Sequence, residues 1–270
     1  MVFGKIQRKR IAIALAALLL TMTQLASCGR IRGSNVVLAG STSVQPYIEV
    51  LAEEFDLIHP EIDVDIQGGG SSAGITAAEA GTADLGMSSR SLTDREQGFW
   101  VIEIAKDGLA IIVNPQNPIT DLSLSRICAI YAGEITNWSD IGGLNARIHV
   151  ITREEGSGTR TAFEDLVMSD RVITPRAIVQ DSNGAVRQLI SSDPNSIGFI
   201  SLGLVNDTVR AIKIGGVPAT RENVINGSYG LFRPFLFVSR DEPEGYVKVF
   251  VDFVLSAEGR RILIDEGLIT

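Results

Sequence analysis

Arg153-Glu154-Glu155-Gly156-Ser157-Gly158-Thr159-Arg160 is the stretch whose surroundings set the fold class. The run Ile148 to Thr152 before it has strand character. Thr161, Phe163, Leu166 and Val167 after it fall at helical spacing, so Gly-Ser-Gly-Thr lies at a strand-to-helix turn. A helix start leaves its first N–H groups without intrahelical partners and carries partial positive charge, so an oxyanion is a natural occupant. Gly156 and Gly158 allow close backbone approach, Ser157 and Thr159 add hydroxyls, and Arg153 offers a planar fork for two anion oxygens. An ordinary helix cap by Ser157 or Thr159 accounts for the same residues, so the rest of the chain must decide.

Similar turns recur towards the N-terminus. Val36 to Ala39 reads as a short buried strand ending in Gly40-Ser41-Thr42-Ser43. The helix that follows, Val44 to Phe55, places Thr42 and Ser43 at its start. Ile62 to Ile66 alternates as a strand and runs into Gly68-Gly69-Gly70-Ser71-Ser72-Ala73-Gly74, which opens a helix over 75–80. A third strand ends in Gly86-Met87-Ser88-Ser89-Arg90. Any one of these loops is explained by capping. Together they are hydroxyl-rich and cation-poor strand ends, the donor set needed to bind an oxyanion away from water.

The strand Leu109 to Val113 is closed by Asn114-Pro115-Gln116-Asn117-Pro118, which reads as a domain exit. The helix over 123–132 starts new packing, with Cys128 as a small buried apolar residue and Trp138 anchoring the loop beyond. Ile178 to Gln180 and Ile197 to Ile200 read as strands, and Asp181-Ser182-Asn183-Gly184 opens the helix over 185–190. A long strand over 230–239 and two terminal helices, 244–255 and 258–265, suggest the chain returning to its first domain. The expectation is α/β architecture in two lobes, 36–114 with 229–270 and 115–228, joined by a two-strand hinge near 113–118 and 226–233 with a ligand cleft between them.

Residues 1–27 carry Lys5, Arg8, Lys9 and Arg10, then an apolar run from Ile11 to Leu20, the pattern of an export signal. That run is shorter than the roughly 20 residues needed to span a bilayer. Leu25-Ala26-Ser27-Cys28 resembles a lipoprotein processing site, which would make Cys28 the lipid-bearing first residue ahead of a linker over 28–35. Removing the leader takes four of the 24 basic residues and none of the 32 acidic ones, leaving a net charge of −12. Such a balance argues against nucleic acid as a partner. His59, His149, Cys28 and Cys128 show no zinc spacing, so no metal is expected.

Gly70, Ser72 and Gly74 match the G-x-S-x-G nucleophile elbow in a strand-turn-helix context. The partners do not match. The only later histidine, His149, opens the strand before the clamp, and His59 precedes Pro60 in a turn. No complete phosphate-binding glycine loop of nucleotide enzymes is present. A serine esterase using Ser72 is therefore the remote alternative.

These motifs together resemble the phosphate-binding lipoproteins of phosphate ABC importers, whose fold is the type II periplasmic-binding-protein fold. The resemblance runs from Gly40-Ser41-Thr42-Ser43 through Gly70-Ser71-Ser72, Gly86-Met87-Ser88-Ser89-Arg90 and the Arg153 stretch to Asn183-Gly184-Ala185 and Ile197 to Leu202. It implies phosphate contacts from Thr42, Ser43, Ser71, Ser72, Ser89, Arg90, Arg153, Ser157, Gly158 and Thr159, with Glu155 holding the Arg153 fork. Arg90 either adds charge to the site or pairs with an acid at the domain surface. Well-known relatives carry an aspartate at the place of Ser89, where its carboxylate accepts the proton of hydrogen phosphate. That departure keeps sulfate or another tetrahedral oxyanion open as the ligand. The resemblance further implies capture without catalysis, no cofactor, permease subunits of an importer as partners, and a lipid anchor to the outer face of the membrane. A monomer is expected.

Overall fold

The computed structural model describes residues 35–270, so the expected leader, Cys28 and most of the linker lie outside the described residues. The first half alternates strand and helix: β1 (Asn35–Gly40), α1 (Gln45–Ile58), β2 (Asp63–Gly68), α2 (Ser71–Ala80) and β3 (Leu85–Ser88). β1 lies between β2 and β3, parallel to both. In α1 the apolar residues Tyr47, Ile48, Leu51 and Phe55 recur at helical intervals and are all buried, which fixes the helix on the sheet. α2 lies closest to the sheet at Gly74, where a Cβ would come within 2.6 Å of the Gly40 Cα. Close packing thus accounts for the second glycine of the elbow pattern.

β4 (Trp100–Val113) is a single strand of 14 residues, longer than the run Leu109–Val113 expected from the sequence. It is followed by β5 (Asp121–Leu122), α3 (Leu124–Tyr131), β6 (His149–Arg153), α4 (Gly158–Phe163), β7 (Ile178–Gln180), α5 (Asn183–Ser192) and β8 (Ser196–Ser201). β9 (Arg210–Ala211), β10 (Lys213–Ile214), α6 (Arg221–Ile225), β11 (Phe232–Ser239), α7 (Gly245–Leu255) and α8 (Ala257–Asp265) complete the chain. The main sheet has the order β2-β1-β3-β11-β4-β8-β6-β7, with β9 on β4, and β5 and β10 form a separate pair. β11 and β4 are antiparallel neighbours in the middle of this path.

Two bodies of core form along that sheet. One gathers Val36, Leu38, Leu51, Phe55, Phe235, Phe237 and Phe250. The other lies around the far end of β4, whose Leu109, Ile111 and Val113 face one cluster and whose Ala110 and Ile112 face another on the opposite side. That alternation is the two-residue period of a strand covered on both faces.

The core assignments locate the crossings. Ala105 and Phe235 belong to the first core, whereas Leu109, Tyr229 and Leu231 belong to the second. The chain therefore changes from one core to the other inside β4 and at the start of β11. Lys106-Asp107-Gly108 looks like an interruption in the sequence but is paired strand, with Asp107 opposite Arg233. Asn114-Pro115 follows the end of that strand.

Candidate functional site

The parallel strands of each half point their carboxyl ends at one place, as ligand-binding α/β sheets do. From the first lobe come Ser41-Thr42-Ser43 after β1, Ser71 and Ser72 in the first turn of α2, and Ser89 after β3. From the second come Arg153 at the end of β6, Ser157-Gly158-Thr159 at the start of α4, and Asn183 at the start of α5. Ser41, Ser43, Ser71, Ser89, Arg153, Ser157, Thr159 and Asn183 are each no more than 2% exposed.

Hydrogen bonds join the two sets. Ser43 Oγ and Thr159 Oγ1 are 2.6 Å apart, and Asn183 Nδ2 donates to Ser43 Oγ at 2.8 Å. Arg153 Nη2 donates to Thr42 Oγ1 at 3.0 Å, and the Ser72 N–H to the Gly156 carbonyl at 3.1 Å. Ser41 Oγ donates to Ser89 Oγ at 2.8 Å, and Ser71 Oγ accepts the Ser89 N–H at 3.0 Å. Gly158 sits where the lobes meet. A Cβ there would collide with the Ser71 hydroxyl and come within 2.6 Å of the Ser89 Oγ. Ser157 Oγ accepts the Arg160 N–H, so this serine does cap α4, as the plainer reading of the motif had it.

Arg153 is gripped on one edge. Glu154 accepts from its Nε at 2.8 Å and from its Nη2 at 2.9 Å, and the Asp181 carbonyl also accepts from Nη2 at 3.0 Å. Nη1 is buried and has no hydrogen-bond partner among the described residues. The expected role of Glu155 is thereby corrected. Glu155 is exposed, and Glu154 holds the fork. Side chains two apart share a side only while the chain stays extended. Here β6 ends at Arg153, and a turn closed by the Ser157 N–H on the Glu154 carbonyl follows at once.

The open question about Arg90 is answered by Glu96. Its carboxylate accepts from Arg90 Nη1 and Nη2, both at 2.7 Å, and the same two nitrogens also donate to the Ser91 carbonyl and to Ser72 Oγ. The Arg90 hydrogen bonds hold the Glu96 carboxyl down at about 2, against the effect of its partial burial, with help from the Thr93 N–H and hydroxyl. Arg90 is an internal brace of the β3 loop. Ser72, the elbow serine, accepts from that brace, and His149 is bonded to Asp193 at 2.6 Å, so neither is joined to the other as serine catalysis requires.

Beneath the cluster, where the chain crosses between lobes, Asp107 and Arg233 form a fully buried pair at 3.0 Å. Ser201 Oγ donates to Asp107 Oδ1 at 2.7 Å and lies 3.0 Å from the Tyr47 hydroxyl, tying α1 to the end of β8. Burial pushes the Asp107 carboxyl up, and Arg233, Ser201 and the Leu202 backbone oppose that rise.

Sequence reasoning missed Ser41, Glu154 and Asn183 as members of this constellation. Asn183 was within reach. Ser182 already caps α5 by accepting the Ala185 N–H, which leaves the Asn183 side chain for another use.

Comparison with known proteins bears on this geometry. The model of the PBP superfamily domain matches residues 29–258. The chain is similar to the phosphate-binding protein PstS of Bacillus subtilis, 29% identical over 87% of this chain and 80% of that protein. Among solved structures it is similar to one from Clostridium perfringens, assigned as a phosphate ABC transporter substrate-binding protein with bound phosphate. That likeness has a TM-score of 0.86 and 44% identity, covering 88% of this chain and 99% of the other. An ABC-type phosphate transport receptor from Vibrio cholerae superimposes with a TM-score of 0.74 at 38% identity, covering 87% and 99% of the two chains.

Proposed function

The chain belongs to the PBP superfamily, and from that premise we propose that it captures inorganic phosphate outside the cytoplasm and delivers it to an ABC importer. The observation that carries the reading is the buried set of hydroxyls and amides shared between the lobes, with Arg153 Nη1 as a buried donor lacking an acceptor among the described residues. A buried N–H without an acceptor costs about 1–3 kcal/mol, and a phosphate oxygen is an acceptor that removes this cost.

In this reading Thr42, Ser43, Ser71, Ser89, Ser157, Gly158 and Thr159 supply donors around the anion and Arg153 supplies its charge. Ser72 and Arg90 support the loops. Phosphate stabilises the closed state because only then do both lobes donate to it, so binding and closure are one equilibrium. The two strands that cross between lobes, β4 and β11, are the hinge. No bond is made or broken. The protein works as a monomer, held to the outer face of the membrane by a lipid on Cys28 after loss of residues 1–27, and hands its cargo to the permease subunits. Among the described residues no helix is long and apolar enough to cross a membrane.

Calorimetric titration of the purified protein with inorganic phosphate tests the reading. Saturable one-to-one binding is expected, and a protein that takes up no phosphate at millimolar concentration would sink it.

A further inference from the structure

We propose that the side-chain amide oxygen of Asn183 accepts the proton of bound hydrogen phosphate and so distinguishes it from fully ionised oxyanions. The proposal deepens the phosphate reading and rests on it. Asn183 is 1% exposed, and its Nδ2 donates to Ser43 Oγ at 2.8 Å, which in turn lies 2.6 Å from Thr159 Oγ1. Its Oδ1 is buried and has no donor among the described residues.

The polar side chains joined in this cluster are otherwise hydroxyls and the Arg153 guanidinium. The one carboxylate hydrogen-bonded to them among the described residues, Glu154, is engaged on the Nε and Nη2 edge of Arg153. Among the described residues the joined cluster thus leaves Arg153 Nη1 without an acceptor and Asn183 Oδ1 without a donor. A fully ionised oxyanion satisfies the first and has nothing to offer the second. A protonated one satisfies both, because its P–O–H group donates while its other oxygens accept.

At the Ser89 position no carboxylate is available for that proton, and Ser89 Oγ is already within hydrogen-bond reach of the Ser41 and Ser71 hydroxyls. An amide oxygen reads the proton differently from a carboxylate. It rewards the protonated anion without repelling the ionised one, so discrimination is milder. The residue is held for this purpose. Ser182 caps α5 in its place, and Nδ2 donates to Ser43 Oγ.

The test compares phosphate and sulfate on wild type, Asn183→Leu and Asn183→Asp, by direct titration and competition above the second ionisation of phosphate. There both ligands are dianions and differ by one proton. Loss of a hydrogen bond to a charged ligand should lower the phosphate-to-sulfate affinity ratio of Asn183→Leu by on the order of tenfold or more. Asn183→Asp keeps the size of the side chain and should raise the ratio, since a carboxylate accepts the phosphate proton and repels sulfate. Equal weakening of both anions in Asn183→Leu, with an unchanged ratio in Asn183→Asp, would overturn the assignment and leave Asn183 as a support for Ser43. Wild-type protein without phosphate affinity would overturn the phosphate reading itself.

Discussion

Arg90 and Arg153 are both buried, both stand at or just beyond the end of a strand, and each is held by a glutamate through two hydrogen bonds. They differ in which edge of the guanidinium the carboxylate takes. Glu96 meets Arg90 end-on and occupies both terminal nitrogens, which Ser91 and Ser72 also share. Glu154 meets Arg153 side-on, through Nε and Nη2, and leaves Nη1 free of protein partners among the described residues. A guanidinium has five N–H donors in a fixed plane, so the side on which the carboxylate lies decides whether any remain for a ligand. One arginine is thereby structural, and the other is available to an anion.

That contrast can be broken at several points. The largest effect belongs to Arg153→Ala, which should weaken phosphate binding by on the order of 10- to 100-fold, the worth of a charge-assisted hydrogen bond in a buried site. Glu154→Gln comes next. It keeps one acceptor but lets the fork turn, and a loss on the order of fivefold is expected from the same titration.

Glu96→Gln should act on stability instead, lowering it by about 1–3 kcal/mol at neutral pH in urea unfolding while leaving phosphate affinity nearly intact. Its pH dependence has a definite sign. Arg90 holds the folded-state carboxyl at about 2, below its ordinary 4.5. The contribution is therefore complete above about 4.5 and fades as the pH falls towards 2. Wild type and Glu96→Gln should converge in stability across that window, and a constant gap would contradict the pairing. Glu155→Gln, at an exposed position, should change neither affinity nor stability.

The same contrast shows what the sequence could and could not reveal. Periodicity located α1 and the two C-terminal helices to within a few residues, because each buries one face. The hydroxyl-bearing strand ends were also legible, since Gly, Ser and Thr recur at several strand-to-helix turns, although capping alone explains any one of them. The choice between Glu154 and Glu155 was not, because it depends on the chain turning immediately after β6. Neither was the Arg90–Glu96 pair, which spans six positions across an irregular loop. The extent of β4 was hidden by Lys106 and Asp107, charges that a central strand tolerates here because Arg233 lies opposite Asp107 on β11. For β4 the missing information was a partner brought close by the fold, and for Glu154 it was the local turn that follows β6.

The central claim is that Arg153, and not Arg90, holds the anion. Calorimetric titration of phosphate into wild type, Arg153→Ala and Arg90→Ala side by side tests it most directly, with unfolding curves to establish that each variant is folded. The account predicts a dissociation constant raised on the order of 10- to 100-fold by Arg153→Ala and less than about threefold by Arg90→Ala, whose cost should appear in stability. The reverse order of affinities would contradict it.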